Sequence, residues 1–403
     1  MRYISKHMER IPPYLFARIN QLKLDARRAG KDVIDLGMGN PDRPTPSHIV
    51  EKLCEVAHDP KTHRYSASKG IPNLRRAIAN WYGQRFGVDI NPETEAIAVI
   101  GSKEGITHLF LAILNEGDMV IVPSPSYPIH YYSVVIAGGH LHTIPLTEQN
   151  NFLPDLAHIT WNVYPQPKIL ILSYPNNPTT QVVDLAFFEE VVEFAKREDM
   201  LIVHDLAYSE ISFDGYKAPS FLQAKGAKDV GIEFYSLSKT YNMAGWRVGF
   251  AVGNRNVIAA LAKLKSYYDY GIFTPIQVAA IAAIEGDQSC VDELRLEYKR
   301  RRDVMVDGLN GMGWNVPRPR ATMYVWAPIP EKFRSLGSMK FSEFLLDEAL
   351  VASSPGIGFG TFGEGYLRLS LVENEHRIKQ ALRGIRKVME SDKVSESAAV
   401  AKK

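Results

Sequence analysis

The chain has 403 residues, more than one typical domain, and its 45% hydrophobic content is enough for a full core. With 47 basic against 45 acidic residues the net charge is +2, which gives no argument for nucleic acid or a membrane surface as partner. Its two cysteines, Cys54 and Cys290, lack metal-ligand spacing and read as two buried reduced thiols; no stretch reaches the ~18 apolar residues of a membrane span, and the N-terminus lacks the apolar core of a secretory signal, so the expected location is the cytoplasm.

Along the chain, residues 14–30 read as one amphipathic helix stopped by Gly30. Val33-Ile34-Asp35-Leu36 is a short strand that runs into the turn-rich Gly37-Met38-Gly39-Asn40-Pro41-Asp42. From about residue 47 to 285 the pattern alternates. Helices are expected over 73–86 and 187–197, and short apolar runs lie at 96–100, 119–122, 169–172, 201–203, 234–237 and 248–252. Such alternation predicts an α/β domain with a largely parallel sheet. A charged helix follows at 290–312, and its run Glu297-Tyr298-Lys299-Arg300-Arg301-Arg302-Asp303 reads as a solvated face. Strands at 321–326 and 366–370 and helices at 340–349 and 375–389 make a smaller α+β unit. The divisions expected are an N-terminal arm with part of the small domain (1–46), a large domain (47–285), a small C-terminal domain (286–390) and a disordered tail (391–403).

Five local patterns carry chemistry. In Ser236-Leu237-Ser238-Lys239-Thr240 a lysine follows an apolar strand, two hydroxyls sit beside it, and Arg247 comes eight residues later. Hydroxyls and a guanidinium are phosphate ligands, and a desolvated, cation-flanked lysine is a competent nucleophile. Together they suggest an aldehyde cofactor anchored by its phosphate. Asp205, in His204-Asp205-Leu206-Ala207-Tyr208, ends a buried strand where α/β sheets place functional groups, although alone it reads more readily as a helix cap. Tyr208 lies three residues on. Tyr174-Pro175-Asn176-Asn177-Pro178-Thr179 reads alone as a turn. Gly101-Ser102-Lys103-Glu104-Gly105 is a strand-to-helix junction able to seat a phosphate, without the ending of a Walker loop. Arg368, inside the apolar run Tyr366-Leu367-Arg368-Leu369-Ser370, suggests a buried carboxylate partner or a surface edge.

Each pattern alone is modest, but their order and spacing are specific. From about Ile34 to Met389 the chain resembles the class I/II, fold-type-I pyridoxal phosphate-dependent aminotransferases. The resemblance implies a mostly parallel seven-stranded sheet sandwiched by helices in the 47–285 cofactor-binding domain, with a smaller α+β domain. It implies pyridoxal 5'-phosphate held by Lys239 as a Schiff base, with Lys239 moving the substrate α-proton. Asp205 would pair with the pyridinium nitrogen, and Tyr208 and Asn177 would hydrogen-bond the ring hydroxyl oxygen. Ser236, Ser238 and Arg247 would hold the phosphate, helped by Ser102 and Lys103, and Tyr127 would stack on the ring. Arg368, Asn177 and the Gly39 backbone would receive the substrate α-carboxylate. Tyr65 would reach the phosphate of a neighbouring subunit, making a homodimer with shared sites. One departure is Thr180, where the family usually has Gly.

Within the family the similarity is to the bacterial glutamate–pyruvate (alanine) aminotransferase branch, carried by runs such as Tyr241-Asn242-Met243-Ala244-Gly245-Trp246-Arg247 and Ser354-Pro355-Gly356-Ile357-Gly358-Phe359-Gly360. It implies amino acid and 2-oxo acid substrates, with alanine and 2-oxoglutarate favoured. Diaminopimelate, aspartate and aromatic aminotransferases and a carbon–sulfur β-lyase on the same scaffold are the alternatives. Residues 267–274 offer tyrosines and no arginine, against a dedicated dicarboxylate enzyme. No DNA-binding module and no Gly-x-Gly-x-x-Gly dinucleotide loop is found.

Overall fold

The computed structural model describes residues 3–13, 16–161 and 163–391, so the expected disordered tail lies, beyond Ser391, outside the described residues. The first expected helix is described over Phe16–Arg28.

Seven strands form the large sheet: β2 (Ala96–Val99), β3 (Met119–Ser124), β4 (His140–Pro145), β5 (Pro167–Leu172), β6 (Leu201–Asp205), β7 (Gly231–Ser236) and β8 (Gly249–Gly253), in the order β2-β8-β7-β6-β5-β3-β4. The run β7-β6-β5-β3-β4 is parallel, and β8 is antiparallel to both of its neighbours. The central strands are apolar on both faces because helices cover both. The polar–apolar alternation of a half-exposed strand is absent: Leu170, Leu172 and Ile202 face one buried cluster, while Ile169, Ile171 and Val203 face the other. Six of the seven strands match the apolar runs in the sequence. The seventh, β4, escaped it because an edge strand needs no continuous apolar run, and His140-Leu141-His142-Thr143 is mostly solvent-facing or half-buried.

A smaller layer carries the antiparallel sheet β11-β12-β9 (Ser354–Pro355, Tyr366–Ser370, Tyr324–Pro328) and the parallel pair β1 (Ile34–Asp35) with β10 (Val351–Ala352). Ser370 N–H donates to Leu36 O, which ties the N-terminal turn to β12. The expected strand at 321–326 begins later, at Tyr324, with Ala321 in an isolated bridge to Ser212.

Two readings need correction. Within the helix Ser289–Asn310 the charged run is not a uniformly solvated face, because Arg301 and Arg302 are buried. Arg301 makes a bidentate pair with Asp42 at 2.8 Å on both nitrogens, and Arg302 pairs with Asp214 and Asp303. Helix charges can thus be interior when acids from other segments meet them. The cysteines are free, but Cys54 is exposed and Cys290 half-buried, so neither is a core thiol. Thr180 occupies φ +62°, the left-handed region where glycine is at ease, and its N–H donates to Asn176 O at 3.0 Å. No helix among the described residues is long and apolar enough to cross a membrane.

Candidate active site

The parallel strands deliver their C-terminal ends to one edge of the sheet. Leu172 leads to Ser173 and Asn177, β6 ends in Asp205, β7 ends in Ser236, and Val99 leads to Gly101 and Ser102. Because β8 runs the other way, its beginning lies at that same edge. Gly249 is in register with both Ser236 and Val99, which brings the preceding Arg247 beside them. This is the carboxyl-end crevice in which open α/β sheets place ligands.

A cavity of about 430 Å³ opens there, between the large sheet and the smaller layer. It is lined by Gly39, Ser102, Lys103, Tyr127, Asn177, Asp205, Tyr208, Ser236, Ser238, Lys239, Arg247 and Arg368. Twelve of the thirteen residues singled out from the sequence therefore converge. Tyr65 does not line it; the residue is 85% exposed, and its ring packs 4.4 Å from that of Tyr270.

One end of the cavity is rich in donors. The helix Ser102–Ile113 begins there, with Gly101 at φ +81° as its N-cap, and its free N–H groups and positive dipole end suit an anion. The Arg247 guanidinium lies so close that a Cβ on Gly101 would sit 2.2 Å from its Nη2. Ser236 and Ser238 are buried nearby, and the Ser238 N–H donates to Ser236 Oγ at 3.2 Å.

The Lys239 amine donates to Gly39 O at 2.6 Å. Burial lowers its pKa below the usual lysine value, opposed by Tyr324 and reinforced by Arg368 and Arg247. Asp205 is 6% exposed. Its Oδ2 meets His130 Nε2 at 3.1 Å, and His130 Nδ1 meets Ser126 Oγ at 2.7 Å. Asp205 Oδ1 is buried with no protein partner among the described residues, which leaves an acceptor directed at a ligand.

Arg368, on β12 beside Trp326 and Ser354, is not on a surface edge, and among the described residues it is paired with no carboxylate. Its Nη1 donates to Asn177 Oδ1 at 2.7 Å and its Nη2 to Gly37 O at 3.0 Å, while Nε is buried with no partner among the described residues. Its guanidinium carbon stacks 4.1 Å from the centre of the Tyr324 ring and 4.6 Å from that of Phe359. Tyr324 was not singled out from the sequence, where it sat inside an ordinary strand pattern. Its hydroxyl meets that of Tyr208 at 3.0 Å. Burial resists ionisation of Tyr324, but the charges of Arg368 and Lys239 outweigh it and lower its pKa. Burial and Tyr324 together push the pKa of Tyr208 well above the usual tyrosine value. Also unforeseen were His130 and Ser126 behind Asp205, and Lys23, Asp35, Phe16 and Phe359 in the cavity wall. Nothing local marks them, since they arrive from four separate segments.

An amine of lowered basicity, an unpaired buried carboxylate oxygen, and a seat of hydroxyls, cations and a helix start match, in turn, an aldehyde, a protonated ring nitrogen and a phosphate. The residues present fit a pyridoxal phosphate enzyme. Comparison with known proteins agrees. Residues 31–385 match the model of the family "Aminotransferase class I and II". The chain is 57% identical over 385 residues, 96% of its length and 93% of the relative's, to the glutamate-pyruvate aminotransferase AlaC of Escherichia coli (strain K12). It is 49% identical over 96% of its length, and 98% of the relative's, to the LL-diaminopimelate aminotransferase of Moorella thermoacetica. Among solved structures, substrate-bound BacF from Bacillus subtilis superposes with a TM-score of 0.91 at 38% identity, covering 96% of this chain and 98% of that one. The chain belongs to the class I and II aminotransferases, and its cofactor is pyridoxal 5'-phosphate.

Proposed function

We propose that this aminotransferase exchanges the amino group between L-alanine and 2-oxoglutarate, giving pyruvate and L-glutamate. The 57% identity to a glutamate–pyruvate aminotransferase over nearly the whole of both chains carries the reading. The cavity supports it: its wall includes Tyr324, Phe359 and the Gly37-Met38-Gly39 turn, which suit a small apolar side chain. When bound, pyridoxal phosphate supplies an electron sink for the charge left when a substrate α-proton departs.

This chain's residues do the rest. The Lys239 amine, its basicity lowered by burial, anchors the cofactor aldehyde and moves the α-proton. The Asp205 carboxylate, held by His130, holds the ring nitrogen protonated. Tyr208 and Asn177 donate to the ring hydroxyl oxygen. Ser236, Ser238 and Arg247, with Ser102 and Lys103 at the helix start, bind the phosphate, and Tyr127 covers the ring face. Arg368 binds the α-carboxylate, and the hydrogen bonds it makes to Asn177 and Gly37 aim its guanidinium. Tyr65, exposed with Tyr267, Tyr270 and Phe273, belongs to a surface covered by a second copy of the chain, where it reaches the partner's phosphate. The protein works as a homodimer in the cytoplasm.

The test is a panel of single-turnover spectra of the cofactor-loaded protein with alanine, glutamate, aspartate, LL-diaminopimelate and phenylalanine. Alanine and glutamate should convert the cofactor band fastest. The identity to LL-diaminopimelate aminotransferases favours a second reading, and faster turnover of LL-diaminopimelate than of alanine would establish it in place of the first. In the same assay Lys239→Ala should lose the borohydride-reducible linkage to the cofactor.

A further inference from the structure

Among the described residues five cationic side chains line the cavity: Lys23, Lys103, Lys239, Arg247 and Arg368. In the proposed reaction four have tasks, at the cofactor aldehyde, its phosphate and the substrate α-carboxylate. A five-carbon 2-oxo diacid brings a second carboxylate, which needs a cation of its own in a desolvated site. No arginine occurs in 267–274 to meet it. From the proposed alanine–glutamate exchange and this accounting, we infer that Lys23 is the receptor for the distal carboxylate of glutamate and 2-oxoglutarate.

Lys23 lies on the helix Phe16–Arg28, whose Phe16, Ile19, Asn20 and Lys23 share one face and all line the cavity. The lysine is 8% exposed, unusual for a side chain that ordinarily reaches solvent. Its ammonium donates to Asp35 Oδ2 at 2.6 Å and to Asn20 Oδ1 at 3.2 Å, which uses two of its three N–H groups among the described residues. Asp35, whose Oδ1 accepts from Gly37 N at 3.1 Å and Met38 N at 3.3 Å, is fixed by the turn and holds the ammonium in place. Gly37 O in turn receives Arg368 Nη2. A hydrogen-bonded chain, Lys23–Asp35–Gly37–Arg368, thus sets one carboxylate receptor relative to the other. Alanine and pyruvate engage only the Arg368 end. The third N–H of Lys23, with the Asn20 amide beside it, serves the longer substrate.

The experiment measures half-reactions of cofactor-loaded wild type, Lys23→Met, Lys23→Met/Asp35→Asn and Lys23→Arg with L-alanine and L-glutamate, read from cofactor absorbance. Calorimetric titrations with glutarate and with propionate accompany them. Loss of one charge-assisted hydrogen bond predicts a fall of about ten- to a hundredfold in the glutamate-to-alanine ratio of kcat/KM, mostly through KM for glutamate. The double variant should show the same fall, Lys23→Arg should recover part of it, and glutarate binding should weaken while propionate binding does not follow. An equal loss for both amino acids would mean that Lys23 only shapes the loop, and it overturns the inference. A double variant with the wild-type ratio also overturns it, since the single variant's defect would then be repulsion by a bared Asp35. Should wild type fail to exchange alanine and glutamate, the functional reading fails instead, and the glutarate and propionate titrations still decide the role of Lys23.

Discussion

Replacing Gly39 by alanine isolates the contribution of a single backbone placement. A Cβ built on Gly39 falls 2.0 Å from the Tyr324 hydroxyl oxygen and 2.7 Å from Cε1 and Cζ of the same ring. Tyr324 cannot withdraw: it is 2% exposed, bonded through its hydroxyl to Tyr208 and sandwiched under Arg368. The turn must move instead, by about 1.4 Å to reach the 3.4 Å of ordinary contact. Its outer side is open, with Met38 48% exposed, so the stability cost should be near the low end of overpacking, about 1 kcal/mol. The cost to activity should be larger. The moved segment carries the Gly39 carbonyl that receives Lys239 and adjoins the Gly37 carbonyl that receives Arg368. Misplacing reacting groups by about 1 Å costs on the order of a hundredfold, or about 2.7 kcal/mol of barrier. Denaturant titration and alanine kcat/KM measured on one preparation separate the two effects. Adding Tyr324→Phe leaves the ring contacts at 2.7 Å, so the retreat halves to about 0.7 Å; that relief is read against Tyr324→Phe alone, relative to which alanine at position 39 should then cost less. Wild-type kcat/KM in Gly39→Ala would refute the reasoning, because the clash would have been absorbed without moving either carbonyl.

Asp205→Ala should retain part of its cofactor binding and lose most turnover, seen as a persistent visible band with a slow half-reaction; normal turnover removes the proposed role of its charge. His204→Ala should cost about 3–5 kcal/mol in chemical denaturation. It strips the imidazole from the fully buried Glu233 carboxylate, bonded to His204 Nδ1 at 2.7 Å, and a cost below about 1 kcal/mol would show that Tyr82, Ser220 and the Phe221 N–H suffice. Thr180→Gly should stabilise the fold by about 1 kcal/mol by relieving a branched residue at φ +62°, and a destabilised variant would mean that the Thr180 side chain matters more than its backbone. In the cofactor-free protein, burial holds Lys239 below its usual pKa, so the folded state binds fewer protons there than the unfolded state. Stability attributable to this group therefore rises with pH from the lowered value toward the ordinary lysine range. Lys239→Met should flatten that slope below the ordinary lysine range, and an unchanged slope would show the amine is not desolvated.

Much of the architecture was legible in advance because it follows from local rules. Buried parallel strands must be continuous apolar runs, and six of the seven large-sheet strands announce themselves in that way. Tyr366–Ser370 was read with its observed limits. The residues proposed to hold the cofactor follow one another at fixed spacings, as Ser236, Ser238, Lys239 and Arg247 do, so a linear pattern singles them out, and all four line the cavity. Edge strand β4 escaped because its exposed face obeys no such rule. The burial of Arg301 and Arg302 was also invisible, since it depends on acids 259 and 88 residues away, Asp42 and Asp214.

What the sequence by itself determined is the family and its cofactor, because an amine, an acid and a set of hydroxyls and cations recur in short runs of fixed order. Tertiary structure alone decided the substrate side of the cavity. There Tyr324 is laid under Arg368, Lys23 is buried against Asp35, and the carbonyls of Gly37 and Gly39 are turned inward. The reason is physical. Strand periodicity orders residues within a segment, whereas a wall built where three distant segments meet is set by packing and hydrogen bonds that form only after the two layers close on each other.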